Sequence, residues 1–147
     1  MTDLVIRPAG PDDIPLLVGL DSSVANEPER EGAIKAWVLE GQCFCAGMGN
    51  ELVGYTVLHN HFFGQPMLEL VMVGRAYRRQ GIGRALIRHV IDRAGPVLWT
   101  STNQSNLPMQ ALLAQMGFQR CGIIEGLDAD DPELIFRIGT AKAQLPR

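Results

Sequence analysis

The chain has 147 residues, of which 46% are hydrophobic and 20% charged, and its formal net charge at pH 7 is −3. This length and composition predict one globular domain, 1–147, that is large enough to bury a core. The acidic balance argues against nucleic acid as the main partner. No apolar run approaches the roughly 20 residues of a membrane helix. The first residues lack the basic and apolar segments of a signal peptide, so the expected location is the cytoplasm.

The chain order predicts strands and helices that alternate along the sequence. Strands are predicted at Leu4–Arg7, Gln42–Met48, Leu52–Asn60, Met67–Val73, Val97–Ser101, Phe118–Glu125 and Glu133–Ile138, and helices at Asp12–Leu20, Glu29–Leu39, Gly83–Arg93 and Leu107–Met116. Gly41 is predicted as a left-handed helix cap, and Gly49-Asn50 and Gly64-Gln65-Pro66 as turns. The order βααβββαβαββ indicates a mixed sheet with helices on both faces.

Two short clusters, Cys43-Phe44-Cys45 and His59-Asn60-His61, contain residue types that bind metals. Residues i and i+2 share one face of a strand, so two paired strands could offer two thiolates and two imidazoles. A Cys-x-Cys pair within a strand more often reflects small buried side chains. We therefore predict no metal site, and we expect core cysteines and solvated or substrate-side histidines.

A glycine-containing loop follows directly after the apolar run Leu68–Val73. Its sequence is Arg78-Arg79-Gln80-Gly81-Ile82-Gly83-Arg84-Ala85. A strand, a short loop and the immediate start of a helix turn several backbone N–H groups toward one point, where the helix dipole favours negative charge. The arginines add positive charge and hydrogen-bond donors. This arrangement predicts a site for a phosphate or a pyrophosphate.

Two well-known phosphate loops do not fit this sequence. A P-loop requires Lys-Ser/Thr after its last glycine, but Arg84-Ala85 stands there and offers no ligand for Mg²⁺. The dinucleotide-binding fingerprint requires a third Gly or Ala at the position of Leu86. The pattern that remains is Arg78-x-x-Gly81-x-Gly83, and the alternative to a ligand site is a glycine-rich connection that binds nothing.

This remaining pattern resembles the acetyl-CoA pyrophosphate loop of the GNAT N-acetyltransferase superfamily. The resemblance extends over nearly the whole chain. Its further segments are Ile6-Arg7-Pro8, Asp12-Asp13-Ile14, Val71-Met72-Val73-Gly74-Arg75-Ala76-Tyr77, Asn103-Gln104-Ser105-Asn106 and Met116-Gly117-Phe118. Each segment is a weak signal alone, but their order and intervals together are typical of the family.

The resemblance implies an α/β (α+β) fold in a single GNAT-like domain. Its central sheet would be mixed, mostly antiparallel and of about seven strands, with helices on both faces and a splayed pair of parallel strands. The wedge between those strands would admit the pantetheine arm of acetyl-CoA, the co-substrate, and Val71 and Val73 would contribute main-chain groups. Asn106 would either contact the pantetheine or cap the next helix. The pyrophosphate would be held by Arg78, Arg79, Gln80, Gly81, Ile82, Gly83, Arg84 and Ala85.

The implied activity is transfer of an acetyl group from acetyl-CoA to a primary amine of a small molecule or peptide. The amine must first lose its proton, which costs roughly 4.6 kcal/mol at pH 7 for an alkyl amine of pKa ~10.4. Glu69, the lone charge in an apolar strand, is the candidate general base. The alternative is that Glu69 only points to solvent. Because dimers are common in the family, a homodimer is an open expectation.

One position departs from the family pattern. Many members place a Tyr at the position of Leu113, where its hydroxyl can protonate the departing thiolate. The general acid is therefore unassigned, with Ser101, Thr102, Ser105 or a water as options. A thiol of pKa ~8.5 can leave unassisted at pH 7 for about 2 kcal/mol, so activity does not require this acid. The alternative function is a catalytically silent module that binds or senses acyl-CoA.

The segment Glu125–Glu133 carries five carboxylates in nine residues. It could be a solvated connection between the last two strands. In the fold implied by the resemblance, this loop borders the acceptor entrance. Asp128, Asp130 and Asp131 would then attract a cationic amine. This reading favours a small di- or polyamine, or a basic amino-acid or peptide end, over an anionic amino sugar.

Overall fold

The computed structural model describes residues 3–139. Within that range the strands are β1 (Leu4–Pro8), β2 (Cys43–Met48), β3 (Glu51–Phe62), β4 (Gln65–Val73), β5 (Val97–Asn103), β6 (Gln119–Ile124) and β7 (Glu133–Gly139), and the α-helices are α1 (Ile14–Leu20), α2 (Arg30–Leu39), α3 (Ile82–Arg93) and α4 (Leu107–Gln115). A 3₁₀ turn, Pro11–Asp13, precedes α1. All predicted elements are present, and most of their bounds differ from the prediction by one or two residues.

The turn between β3 and β4 lies earlier than predicted. The sequence indicated a turn at Gly64-Gln65-Pro66, but the turn residues are Phe63 and Gly64, with φ of 52° and 78°. Positive φ at both central residues is typical of the two-residue hairpin turn that matches the twist of paired strands. Pro66 therefore lies inside β4. The predicted left-handed cap at Gly41 is confirmed by its φ of 72°.

The strands form one seven-stranded sheet in the order β1-β2-β3-β4-β5-β7-β6. β4 and β5 are parallel, with Met67 opposite Trp99 and Leu68 opposite Thr100. β2 is antiparallel to both β1 and β3, and β7 is antiparallel to both β5 and β6. The predicted mixed, mostly antiparallel sheet with a parallel pair is confirmed. Helix α3 makes the crossover that two parallel neighbours require.

The described chain divides into two compact units. The first comprises the residues up to Leu58 together with Leu70–His89, and the second comprises His59–Glu69 together with the residues from Val90 onward. Strands β3 and β4 and helix α3 contribute to both units. No helix within residues 3–139 is long and apolar enough to cross a membrane.

In the first unit, helices cover both faces of the sheet. Leu17 of α1 and Ile34 of α2 are fully buried in one cluster, and Ile82 and Leu86 of α3 are buried in another. The strands supply Cys43, Cys45, Tyr55, Val57 and Met72 to the first cluster, and Ala46 and Val53 to the second. Neighbouring strand residues such as Cys45 and Ala46 thus belong to different clusters, and each cluster is covered by helices. The prediction of helices on both faces is confirmed.

Cys43 and Cys45 are core residues of the first unit, as predicted. Their exposed fractions are 1% and 0%. Burial raises the pKa of the Cys43 thiol to about 12, so this thiol stays protonated at neutral pH. Both behave as small hydrophobic side chains.

A β-bulge in β3 sets the start of the connection to α3. Ala46 pairs with Gly54 and Gly47 with Leu52, which leaves Val53 as an extra residue. The carbonyl of Val53 accepts a hydrogen bond from the Gly74 N–H at 2.9 Å. A Cβ at Gly74 would lie too close to the end of the Leu20 side chain, so a larger residue where β4 gives way to the loop would require that side chain to shift.

In the second unit, β5 has one buried face and one open face. Leu98, Thr100 and Thr102 are buried, whereas Val97, Trp99, Ser101 and Asn103 are only half-buried. Thr100 is satisfied by a hydrogen bond from its hydroxyl to the Leu68 carbonyl at 2.9 Å. The open face of this unit therefore presents an indole, a hydroxyl and an amide to solvent.

Candidate active site

The predicted phosphate loop has the backbone shape that an anion site requires. Arg79 and Gly81 adopt positive φ of 65° and 81°, and α3 begins at the next residue, Ile82. The Ala85 N–H donates to the Gly81 carbonyl at 3.0 Å, closing the first helical turn. The N–H groups of a helix's first turn precede its hydrogen-bonded ladder, so those at Ile82 and Gly83 point out of the helix end. The residues present therefore fit a pyrophosphate.

The two leading arginines of this loop have different environments. Arg78 donates from Nε to the Val73 carbonyl at 3.1 Å and from Nη2 to Ser22 Oγ at 3.2 Å. Arg79 is exposed. Arg78 is thus fixed against the end of β4, whereas Arg79 extends from the loop. The contact between Arg78 and Ser22 was not predicted, because it joins residues 56 positions apart in the chain.

Val71 and Val73 pack their side chains toward α3. Both are partly buried against the cluster that contains Ile82 and Leu86. Only their main-chain atoms could therefore serve a ligand along the strand, and the Val73 carbonyl already accepts from Arg78.

Asn106 is the N-cap of α4. Its Oδ1 accepts a hydrogen bond from the Met109 N–H at 3.2 Å. This satisfies one of the donors that a helix N-terminus leaves free. The two predicted roles of Asn106 were contact with the pantetheine and capping of the helix, and the structure shows the capping. Within residues 3–139 the side-chain nitrogen of Asn106 makes no hydrogen bond, so it remains a possible donor to a ligand.

Glu69 is paired with a histidine on the neighbouring strand. Glu69 Oε1 lies 2.7 Å from His59 Nε2, and the side chains are 44% and 12% exposed. The His61 N–H donates to His59 Nδ1 at 3.0 Å. Glu69 is therefore both exposed to solvent and bonded to His59 through Oε1. The sequence analysis named His59 only as a solvated or substrate-side histidine and did not predict its pairing with Glu69.

The second unit also contains an aromatic group around Trp99. The Trp99 indole packs against Phe62, with ring centroids 5.3 Å apart, and donates from Nε1 to Gln65 Oε1 at 2.6 Å. The guanidinium of Arg137 lies over the indole, 5.4 Å from its centroid. Such an arrangement offers an apolar surface bordered by charge.

Leu113, at the position where the family resemblance leads one to expect a Tyr, is a core residue and is 1% exposed. Of the hydroxyl groups considered as alternatives, Ser101 donates to Glu133 Oε2 at 2.7 Å and Ser105 to Asp131 Oδ2 at 2.6 Å. Thr102 is buried. Ser101 and Ser105 therefore each donate their hydroxyl hydrogen to a carboxylate, and the general acid stays unassigned.

The acidic loop between β6 and β7 is docked on the loop that follows β5. Asn103 Nδ2 donates to Asp128 Oδ2 at 2.8 Å, and the Ser105 N–H donates to Asp131 Oδ1 at 3.0 Å. Asp130 has φ of 58° and is exposed. Of the three predicted substrate-side carboxylates, those of Asp128 and Asp131 thus hold the loop in place through hydrogen bonds. Within residues 3–139, the carboxylate of Asp130 has no hydrogen-bond or ion-pair partner.

Metal ligation finds no support in the described part of the chain. Residues 3–139 contain no group of three or more His, Cys, Asp or Glu side chains placed to hold a metal ion. The groups that the described residues bring together are a carboxylate–imidazole pair and, separately, a helix N-terminus preceded by a glycine-containing loop.

Comparison with known proteins places these features in a family context. The family model described as Acetyltransferase (GNAT) family matches residues 17–118. Streptothricin acetyltransferase of Streptomyces lavendulae is 30% identical over 86 residues, which are 55% of this chain and 46% of that protein. The (ribosomal protein bS18)-alanine N-acetyltransferase of Escherichia coli strain K12 is 39% identical over 57 residues, 36% of this chain and 38% of that protein. The matched segments thus span less than half the length of these curated relatives.

Solved structures are similar over nearly the whole described chain. A GNAT-family acetyltransferase from Bacillus cereus ATCC 10987 has a TM-score of 0.87 and 31% identity, covering 94% of this chain and 98% of that one. The ribosomal-protein-S18-alanine N-acetyltransferase of Escherichia coli has a TM-score of 0.81 and 22% identity, covering 99% and 100%. At the lower identity the similarity concerns the fold alone.

Proposed function

Because the chain belongs to the acetyltransferase (GNAT) family, we propose that it transfers an acetyl group from acetyl-CoA to a primary amine. The observation that carries the proposal is the loop between β4 and α3, where Gly81 adopts a φ of 81° immediately before the helix. The family match includes this loop, the strand that carries Glu69, and α4. The two curated relatives are named for a small molecule and for a protein alanine, so both classes of acceptor remain within the proposal.

The loop Arg78–Ala85 would hold the pyrophosphate of acetyl-CoA. The main-chain N–H groups at the start of α3 and the exposed Arg79 supply the positive end of that site. The main chain of Val71 and Val73, and the free amide nitrogen of Asn106, are proposed for the pantetheine arm. Bound acetyl-CoA supplies an activated thioester carbonyl, and no metal is needed for that chemistry.

Glu69 is the proposed general base. Removing a proton from an alkyl ammonium at pH 7 costs roughly 4.6 kcal/mol, and general-base catalysis is typically worth ~10²–10⁴-fold. The side chain is 44% exposed, so a substrate ammonium can reach it, directly or through one water. One oxygen is held by His59, which leaves Oε2 to receive the proton.

A cationic acceptor is proposed from the charges of the second unit. Glu133 is half-buried at the start of β7 and accepts from Ser101, and the exposed Asp130 carries a carboxylate without a partner in residues 3–139. We propose that these carboxylates raise the local concentration of an amine cation near the acceptor site.

The second candidate function is a module that binds acyl-CoA without turning it over. The observation that favours it is Leu113, a buried side chain with no hydroxyl at the position where the family resemblance leads one to expect a Tyr. Unassisted departure of a thiol of pKa ~8.5 costs only about 2 kcal/mol at pH 7, which is less than the cost of freeing the amine. We therefore prefer the enzyme.

One experiment separates these functions. The protein is incubated with acetyl-CoA and a panel of primary amines, and free thiol is measured, while the melting temperature is recorded with and without acetyl-CoA. The enzyme requires amine-dependent thiol release. A melting-temperature rise without thiol release for any amine would identify the silent module, since a ligand that binds the native state stabilises it. If neither thiol release nor a rise in melting temperature is observed, both functions are contradicted.

A further inference from the structure

We propose that His59 is a positioning residue, which fixes the carboxylate of Glu69 so that one oxygen faces the acceptor amine. The inference rests on the proposed function and assigns a role to a side chain that the family resemblance does not include. It starts from the short contact between His59 Nε2 and Glu69 Oε1, 2.7 Å across two neighbouring strands.

The hydrogen bonds of His59 determine which of its nitrogens carries the proton. The main-chain N–H of His61 donates to Nδ1 at 3.0 Å, so Nδ1 must offer a lone pair. A neutral imidazole has one donor and one acceptor nitrogen, so Nε2 carries the hydrogen and donates it to Glu69. His59 then has no lone pair left to receive a proton from a substrate. Glu69 keeps Oε2, and is therefore the group that can act as base.

The ring of His59 is held by more than its two hydrogen bonds. The rings of His59 and His61 are stacked, with centroids 5.1 Å apart and planes 23° from parallel. The His59 side chain is 12% exposed, whereas that of Glu69 is 44% exposed. A rigid, mostly buried donor thus supports an accessible acceptor. Restricting the carboxylate in this way reduces the freedom it must lose when it meets the amine.

The proposed step is balanced as an acyl transfer. Glu69 takes a proton from the substrate ammonium, and the freed nitrogen lone pair forms the bond to the acyl carbon. The carbon–sulfur bond breaks, and the sulfur leaves with the electron pair. The nitrogen loses its second proton as the amide forms, and the departing thiolate takes up that proton, directly or through water, to give the free thiol. His59 transfers no proton in this step, and it keeps its Nε2 hydrogen on Glu69 throughout.

The test compares four variants in steady-state kinetics with the best amine of the panel. His59→Leu removes the donor, and His59→Gln replaces it with an amide N–H that can reach the same oxygen. Glu69→Gln keeps an acceptor for His59 but removes the base. Asn60→Ala is the matched control, because Asn60 is exposed and lies between the two histidines on β3. Each variant is first checked for an unchanged melting temperature rise with acetyl-CoA.

We expect His59→Leu to lower kcat by about tenfold or more, the scale of one hydrogen bond to a charged group, with KM for acetyl-CoA unchanged. His59→Gln should recover most of that loss, and Asn60→Ala should behave as the parent. The loss should also shrink for an acceptor whose amine is already neutral at the assay pH, because that amine needs no base. A purely structural defect would affect all acceptors alike.

A double variant completes the test. If His59 acts only through Glu69, the combination of His59→Leu with Glu69→Gln should be no slower than Glu69→Gln alone. Turnover that is unchanged in His59→Leu, or lost equally for charged and neutral amines, would overturn the role of His59. Absence of thiol release in the parent with every amine would instead refute the proposed function itself.

Discussion

Arg78 is bonded to the strand that leads to it, since its Nε donates to the main-chain oxygen of Val73 at 3.1 Å. This contact removes much of the freedom of Arg78, although its side chain, like that of Arg79, is exposed. The loop thus combines one arginine that shapes it with one that is available to an anion.

Replacing Arg79 should therefore weaken acetyl-CoA binding through charge. We expect Arg79→Ala to raise Kd several-fold at low ionic strength, with the difference from the parent shrinking as salt is added, since exposed charges are screened. Isothermal titration at two salt concentrations measures this. Arg88→Ala, which removes the same charge from an exposed position further along α3, is the control. An equal effect of both changes would mean that only net charge matters.

Gly81 should not tolerate a β-branched side chain. Its φ of 81° lies in the left-handed region, where a Cβ costs roughly 1–2 kcal/mol. A folded Gly81→Val variant should therefore lose the melting-temperature rise that acetyl-CoA gives the parent, because the main-chain N–H groups would turn away from the pyrophosphate. Gly32→Ala, in α2 with open space around it, should keep the full rise. A normal rise in Gly81→Val would remove the loop from the cofactor site.

The elements and the loop could be predicted from the sequence because their causes are local. Apolar periodicity marks the strands and helices, and the spacing of Gly81 and Gly83 after an apolar run marks the loop that is proposed for the pyrophosphate. The hairpin turn was misplaced because Phe63 adopts a positive φ of 52°, which its residue type does not suggest. The bulge at Val53 was missed for a related reason, since it is defined by pairing with β2 and not by composition.

The unpredicted part of the candidate site consists of contacts between distant residues. Glu69 stands out in its strand as a lone charge, but its pairing with His59 depends on the register of β3 and β4. The docking of Asp131 on Ser105 depends in turn on where β5 and β7 end. Composition alone made the three aspartates of that loop equivalent, and the structure separates them.

A buried polar network should contribute strongly to the stability of the first unit. Asp21, whose side chain is fully buried, accepts from the hydroxyl of Tyr55 and from Arg30 Nη1, the latter at 3.0 Å. Asp21→Ala should lower the free energy of unfolding by about 3 kcal/mol or more, because it leaves the buried Tyr55 hydroxyl without its acceptor and removes the closer of the two carboxylates bonded to Arg30. Tyr55→Phe, which removes one donor, should cost about 1–3 kcal/mol. Urea denaturation measures both, and equal small losses would contradict this account.

The ion pair between Arg7 and Asp13 predicts a pH dependence of stability. Hydrogen bonds from Arg7 hold the pKa of Asp13 below its ordinary value of 3.8. Its folded-state pKa is thus lower than its unfolded value, so the stabilisation is present above pH 3.8 and is lost as the pH falls through the folded pKa. In Asp13→Asn, the decline of unfolding free energy at acid pH should be shallower than in the parent. Asp12→Asn, at the exposed neighbouring position, should leave the decline unchanged.

The acidic loop allows its structural and electrostatic roles to be separated by single substitutions. Asp131 is bonded to Ser105 by both its oxygens, whereas the Asp130 carboxylate has no such partner within residues 3–139. If the loop attracts a cationic acceptor, Asp130→Asn should raise KM for that amine several-fold, leave kcat nearly unchanged and flatten the salt dependence of kcat/KM. Asp131→Asn should lower the melting temperature as well, because it weakens the docking of the loop. Neutral acceptors provide the control, since their KM should not respond to Asp130→Asn. If KM for the cation is also unchanged, the loop serves only to join β6 to β7, and the preference for a cationic acceptor must come from Glu69 and Glu133.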